Sequence, residues 1–476
     1  MKRFIAVILL AVFSLVLVAC GGDRGSDVKD RLVDWYELAE DADYDGSKVT
    51  ITFWHRMGQA NQEMVQKWIR EFNEIYPNIT VIEEKAAASY DALADKISLA
   101  ITAGNYPDIA ESYPDHIARY AMAEKPLALN NFINHPILGY TEDEVSDFLS
   151  GLWAEGSSYD NAGTILSLPF TKSSEALFYN ATYFEEHGYE VPTTWDEVFA
   201  IAEDIKEREP DAIPVGYDSE DNLFITASEQ WKAPYTGYNV ETGRGEVLFN
   251  NAESKEMVKY FKSKVDAGLM ITRMLNGEAY TSDIMKTGKD LYMYVGSTGG
   301  TRYAYDSMPQ QVFNDGYRVG VAPVPVKDAN HRKQIQQGPN INLFHQPGKE
   351  QQMIAAWLFV KFMLQAEKTA EFALASGYAP VRHSAYETDV WQDYVANIKT
   401  TEPMTQAQAT AKLIKEAIDM FRNNEEIFFT SAVFNLSSKT RDEVGAMLVR
   451  ILAYNGNDLD GYIDSQYQSS YDYIVN

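Results

Sequence analysis

Apolar and polar positions change period several times along the chain. The stretch "KVTITFWH" (48–55) alternates as a half-buried strand does, and "NQEMVQKWIREFNEIYP" (61–77) follows with Met64, Val65, Trp68, Ile69 and Phe72 at helical spacing. Tyr76-Pro77 ends that helix. "ITVIEEKA" (79–86) then reads as a second strand, and "SYDALADKISLAITAGNYPDIAES" (89–112) as a helix, a Gly-containing turn and a third strand. The same order resumes in "TILSLPFTKSSEALFYNATYFEEHG" (164–188), "TTWDEVFAIAEDIKE" (193–207) and "AIPVGYD" (212–218); Glu197, three residues after Thr194, predicts a capping box. Later come three strand-like runs, "KDLYMYVGSTGG" (289–300), "YRVGVAPVP" (317–325) and "GPNINLFH" (338–345), then the helical "EQQMIAAWLFVKFMLQAEKTAEFAL" (350–374) and a mainly helical C-terminal hundred residues. Strand alternating with helix predicts an α/β fold with parallel sheets, without internal repeats.

The N-terminus is patterned differently. Lys2 and Arg3 precede an apolar run from Phe4 that closes on Leu17, Val18, Ala19 and Cys20, the layout of a signal peptide. The run is shorter than the ~20 apolar residues a bilayer core requires. Cys20 is the only cysteine, and "LVAC" followed by Gly21 resembles a bacterial lipobox, in which a diacylglycerol is attached to the thiol and the leader, here residues 1–19, is removed. Residues 20–46 then predict a lipidated N-terminus and tether, flexible through "GGDRGSDVKD" and with a short amphipathic piece around "RLVDWYELAE". Asp41, Asp43, Asp45 and Gly46 have the spacing of half a calcium loop, but Thr52 stands where the bidentate Glu belongs, so a solvated acidic turn is expected.

Charge narrows the partners. The formal net charge is −28, which argues against nucleic acid and against anionic membrane surfaces. Aromatics are plentiful, with Tyr 30, Phe 22 and Trp 8, and aromatic faces bind sugars and other polar rings. Signals for an enzyme are weak: there is no G-x-S-x-G and no H-E-x-x-H, and the single thiol is assigned to lipid. No catalytic residue, metal or cofactor is therefore expected. Gly-rich "VGSTGG" (295–300) either cradles a ligand or is a plain strand-to-helix turn. Trp54 and His55 in "FWHRMG" end the first strand, at the face where open α/β sheets bind ligands, with a buried structural Trp as the alternative.

In this order "ITFWHRMG", "GNYPDIAES", "LPFTKSSEALFYN", "PTTWDEV", "LYMYVGSTGG", "VGVAPVP", "GPNINLF" and "SGYAPVRHSAYE" resemble the extracellular solute-binding proteins of ABC importers that serve sugars and glycerol phosphates. The resemblance implies a two-lobed periplasmic-binding-protein fold of type II, closing on its ligand like a trap. With crossings at "LPFTKSS", "QQGPN" and "SGYAP", it assigns residues 47–172 and 339–376 to an N-terminal lobe and 173–338 and 377–476 to a C-terminal lobe. The likeness to glycerol-3-phosphate and glycerophosphodiester binders implies ligand contacts at Tyr90, Asp115, Ser173, Trp231, Ser297, Gly338 and Tyr378. Those binders use an Arg in the C-terminal region, and "EEIFFTSAVFNLSS" (425–438) offers none, which leaves Lys172, Arg302 or Arg382 as substitutes. A neutral mono- or oligosaccharide is therefore the expected ligand, with a glycerol phosphate or glycerophosphodiester as the alternative and an exported carbohydrate-active enzyme as a third reading. Delivery to permease subunits from a monomer, lipid-anchored outside the cytoplasmic membrane or in the periplasm, completes the expectation; a sensor role stays open beside it.

Overall fold

The structure is a computed structural model that describes residues 32–239, 244–287 and 290–476. Cys20, the leader and the first part of the tether lie outside the described residues. Among the described residues no helix is long and apolar enough to cross a membrane.

Two α/β lobes result. In the first, Val49–His55 pairs in parallel with Ile79–Lys85 on one side and Ile109–Ser112 on the other. Asn340–Leu343 returns antiparallel beside Ile109–Ser112, and Leu168–Pro169 closes the sheet. The helix Gln59–Ile75 buries Val65, Trp68 and Phe72, on the face its spacing predicts, against Phe359, Phe362 and Phe372. The second lobe is built on a seven-stranded sheet centred on Ser173–Asn180 and Met293–Ser297. Its core gathers around Trp195, Tyr217, Phe224 and Phe261. The predicted capping box forms: Thr194 and Glu197 satisfy each other's backbone N–H groups and start the helix Trp195–Arg208.

The chain leaves the first sheet after Pro169, joins the second at Ser173, leaves it after Gln337 and rejoins the first at Asn340. The two passages touch at Gly338. Its φ is 94°, and a Cβ there would stand 2.0 Å from the Thr171 carbonyl oxygen, so the close approach requires glycine. Lys172 is wholly buried between them, its Nζ donating to Glu155 Oε2 at 2.6 Å, to the Gly338 carbonyl at 2.7 Å and to Asn340 Oδ1 at 3.1 Å. The third passage falls later than "SGYAP": Ala379 and Val381 are buried in the first lobe's core, and His383 N still bonds to the Asp147 carbonyl. Helix Gln406–Arg422 is where the chain packs on the second sheet's strand Val319–Ala322.

Residues 32–46, expected to be tether, run along the first lobe as a strap. Leu32 and Val33 are buried in one cluster with Tyr159 and Leu166. Trp35 donates to Thr164, Tyr36 donates to Glu350, and the His135 ring meets the Ala39 carbonyl. The apolar residues of "RLVDWYELAE" explain the difference, because they bury surface that a free tether would leave in water.

Candidate solute-binding site

A cleft of about 640 Å3 opens between the lobes. It forms where strands of the first sheet end: Val49–His55 runs out at Arg56, and Ile109–Ser112 runs into Tyr113 and the helix Pro114–Ala121. Ser89 caps the helix Tyr90–Ala103 through the Ala92 N–H, which presents Tyr90 at the helix start. From the second lobe come Ser173 and Glu175 on one strand, Ser297 at the end of the next, and Arg441 and Asp442 on the helix Ser437–Leu452.

One wall is aromatic. Tyr90 and Tyr113 meet edge to face with centroids 4.9 Å apart. Tyr378 lies over Gly299, where a Cβ would come within 2.8 Å of the ring. "VGSTGG" is a strand running into a short 3-10 helix (Thr298–Tyr303), and its Gly296, Ser297, Gly299 and Gly300 also line the cleft. Ser297 accepts from the Gly299 N–H at 3.2 Å and lies 3.5 Å from the Ser173 hydroxyl.

Two cations face this wall, one from each lobe. The Arg56 guanidinium sits 4.6 Å above the Tyr90 ring. Its Nε is buried without a hydrogen-bond partner, and no carboxylate among the described residues forms an ion pair with it. Arg441 donates from Nε to Asp221 Oδ2 at 2.8 Å and from Nη2 to the Asn222 side chain. Burial and the Tyr378 hydroxyl push the Tyr113 hydroxyl up while Arg441 and Arg56 both oppose the rise, so both cations lie within electrostatic reach of Tyr113. Acidic groups surround Arg441: the Asp442 carboxyl is pushed up to about 6 by burial and by Asp91, Asp115 and Asp221. Beneath the floor Glu111 accepts from the Arg56 N–H at 3.1 Å and from Thr171 at 3.3 Å, and burial raises it.

Of the residues named from sequence, Tyr90, Asp115, Ser173, Ser297 and Tyr378 line the cleft, and Gly338 lines an adjoining recess with Asp115 and Tyr235. Four do not reach it. Trp54 points the other way along its strand and lies under Lys96, whose Nζ is 4.5 Å from the ring. His55 is fully buried, its Nε2 2.8 Å from Glu83 and its Nδ1 accepting from the Met57 N–H. Trp231 packs on Tyr260 and Phe261 beneath Lys327. Arg382 is buried against Phe148, paired with Asp147 and donating to the Leu364 carbonyl. The other substitute cations are occupied too: Lys172 by the crossing, Arg302 by the Ala375 carbonyl at 3.0 Å. Sequence reading missed Arg56, Tyr113, Arg441 and Asp442. Arg56 is next to the two residues chosen, and Arg441 follows "NLSS" by only three residues.

Among the described residues no group of His, Cys, Asp and Glu is placed to hold a metal. Strand ends, tyrosine faces and arginines from both lobes, all around an interlobe cleft, define a protein that captures a small polar solute between two lobes. The chain belongs to the bacterial extracellular solute-binding proteins, whose family profile matches residues 67–400. It is a binding protein of an ABC importer, working outside the cytoplasm.

Among curated relatives it is 26% identical over 343 residues to the sn-glycerol-3-phosphate-binding periplasmic protein UgpB of Rhizobium meliloti (strain 1021), covering 71% of this chain and 76% of that one. To the protein of the same name in Brucella melitensis it is 25% identical over 372 residues, covering 73% and 78%. Solved structures share the fold. UgpB from Mycobacterium tuberculosis in complex with glycerophosphocholine superposes with a TM-score of 0.66 at 18% identity, covering 90% of this chain and 99% of that one. The GacH receptor of Streptomyces glaucescens, solved unliganded and with acarbose, gives 0.69 at 18% identity, covering 90% and 98%.

Proposed function

We propose that the solute is a glycerol phosphate or a glycerophosphodiester, delivered to the importer's permease subunits by a protein held to the membrane through acylated Cys20. The observation that carries this reading is the pair of cations, Arg56 and Arg441, on opposite sides of the cleft. The Arg56 guanidinium is half-buried, with a buried Nε that has no hydrogen-bond partner and no ion pair although Glu111 lies nearby; it can take an anion, and Arg matches phosphate oxygens with a fork of donors. An anion touching both arginines would also hold the lobes together, the differential affinity that ligand-driven closure requires. The curated UgpB relatives point the same way. The neutral-sugar reading expected from sequence rested on a missing arginine, and Arg441 removes that premise. It keeps one support: tyrosine faces and carboxylates, the usual partners of sugar hydroxyls, make up much of the lining.

A thermal-shift screen of sn-glycerol 3-phosphate, glycerophosphocholine, glycerol, maltose and maltotriose tests the reading. A ligand at 100 times its Kd adds about 2.7 kcal/mol of stability. The phosphorylated compounds should raise the melting temperature and the neutral ones should not; a shift with maltose or maltotriose alone would restore the sugar.

A further inference from the structure

Glu175 is a carboxyl group of the cleft that the two arginines leave unused. It stands two residues after Ser173 on the same strand, so both side chains project from one face. It also lies directly opposite Ser297 in the antiparallel register. Both serines line the cleft, and so does Glu175, although it is only 1% exposed. Its Oε2 accepts from the buried Tyr217 hydroxyl at 2.6 Å. Three elements bring polar groups to it: the strand Val215–Tyr217 brings Tyr217, the helix Glu220–Gln230 brings Asp221 and Asn222, and the helix Ser437–Leu452 brings Arg441. Among the described residues no lysine or arginine forms an ion pair with it, and the nearby Arg441 already pairs with Asp221.

A carboxylate buried in this way is costly, and the proton is the cheaper partner. Burial, with Asp221 adding to it and Tyr217, Arg441 and the Asn222 side chain opposing, pushes the Glu175 carboxyl up to about 8. At neutral pH the group is a neutral acid. One oxygen accepts from Tyr217, and the protonated acid has a donor to offer.

We propose that Glu175 is a specificity-determining residue of the cleft, a neutral acid that donates a hydrogen bond to an anionic oxygen of the solute and repels that oxygen once it ionises. This rests on the phosphate reading above. A sugar hydroxyl, which can donate as well as accept, would be served by either form.

The test is calorimetric titration with sn-glycerol 3-phosphate between pH 7 and 9.5, above the second phosphate pKa of about 6, so that the probe keeps one charge state. The wild-type Kd should stay level to about pH 8 and then rise roughly tenfold per unit, as loss of one proton requires. Glu175→Gln keeps a donor and cannot ionise, so its Kd, whatever its value at pH 7, should stay level to pH 9.5. A level wild-type profile, or the same rise in the variant, overturns the proposal. If the probe fails to bind either protein, the phosphate reading falls, and the unliganded proteins still decide the state of Glu175. A raised acid contributes stability that is fully present below about 4.5 and lost as pH climbs to about 8. Wild type should therefore lose melting temperature relative to Glu175→Gln across that window, and parallel curves would show that the acid is not held neutral.

Discussion

At the scale of the residue, the cleft separates side chains by a single position. Along Val49–His55 the sequence favoured Trp54 and His55 as ligand contacts, but His55 is spent on Glu83 and Trp54 on Lys96, and the next residue, Arg56, reaches the cleft. Periodicity identifies the strand and its end; it cannot say which of three adjacent side chains turns inward, because that depends on partners contributed from distant segments. Arg56→Met should weaken binding of sn-glycerol 3-phosphate by about 1.5 to 3 kcal/mol, the worth of a hydrogen bond to a charged group. Isothermal titration measures it, and unchanged affinity would remove Arg56 from the site. Trp231→Ala should do the reverse. Its ring packs on Tyr260 and Phe261, so the variant should bind normally and lose about 1.5 to 3 kcal/mol of stability; a binding defect with normal melting would return it to the cleft.

Among the elements, what was legible followed directly from local chemistry. Helix Gln59–Ile75 buries Val65, Trp68 and Phe72 as its spacing predicts, and the Thr194/Glu197 box starts its helix. The strap and the later third passage were not legible. Whether "RLVDWYELAE" lies in water or on a lobe depends on a receiving surface made by Tyr159, Thr164 and Glu350, which no local pattern announces. Lys172 illustrates the same limit. In sequence it is a spare cation near a ligand-binding serine; in the fold it ties Glu155 to the Gly338 carbonyl across two crossing segments. Lys172→Ala leaves Glu155 buried without its partner and should cost about 3 to 5 kcal/mol in denaturant unfolding, as broken buried pairs do. A variant of wild-type stability and impaired phosphate binding would instead mark Lys172 as a ligand contact.

For the whole molecule, the α/β class was readable from strand and helix order and the two lobes from the family resemblance, whereas the ligand was not, because the choice between neutral and anionic solute turns on single side chains such as Arg441, which lies just past "NLSS". Cys20 belongs to this scale as well. If it carries the lipid, Cys20→Ser should move the protein from the membrane to the soluble fraction while solute binding survives, and a variant that stays in the membrane would argue for a retained leader. The central claim is that a strongly acidic protein, with a net charge of −28, holds an anion between Arg56 and Arg441, two of the three arginines that line its cleft. Isothermal titration of the wild-type protein with sn-glycerol 3-phosphate, glycerol and maltose tests it most directly. The phosphate compound should bind at least a hundredfold more tightly than glycerol, with two charge-assisted contacts of about 1.5 kcal/mol or more each making the difference. Equal affinity for glycerol and its phosphate, or tight binding of maltose alone, would contradict it.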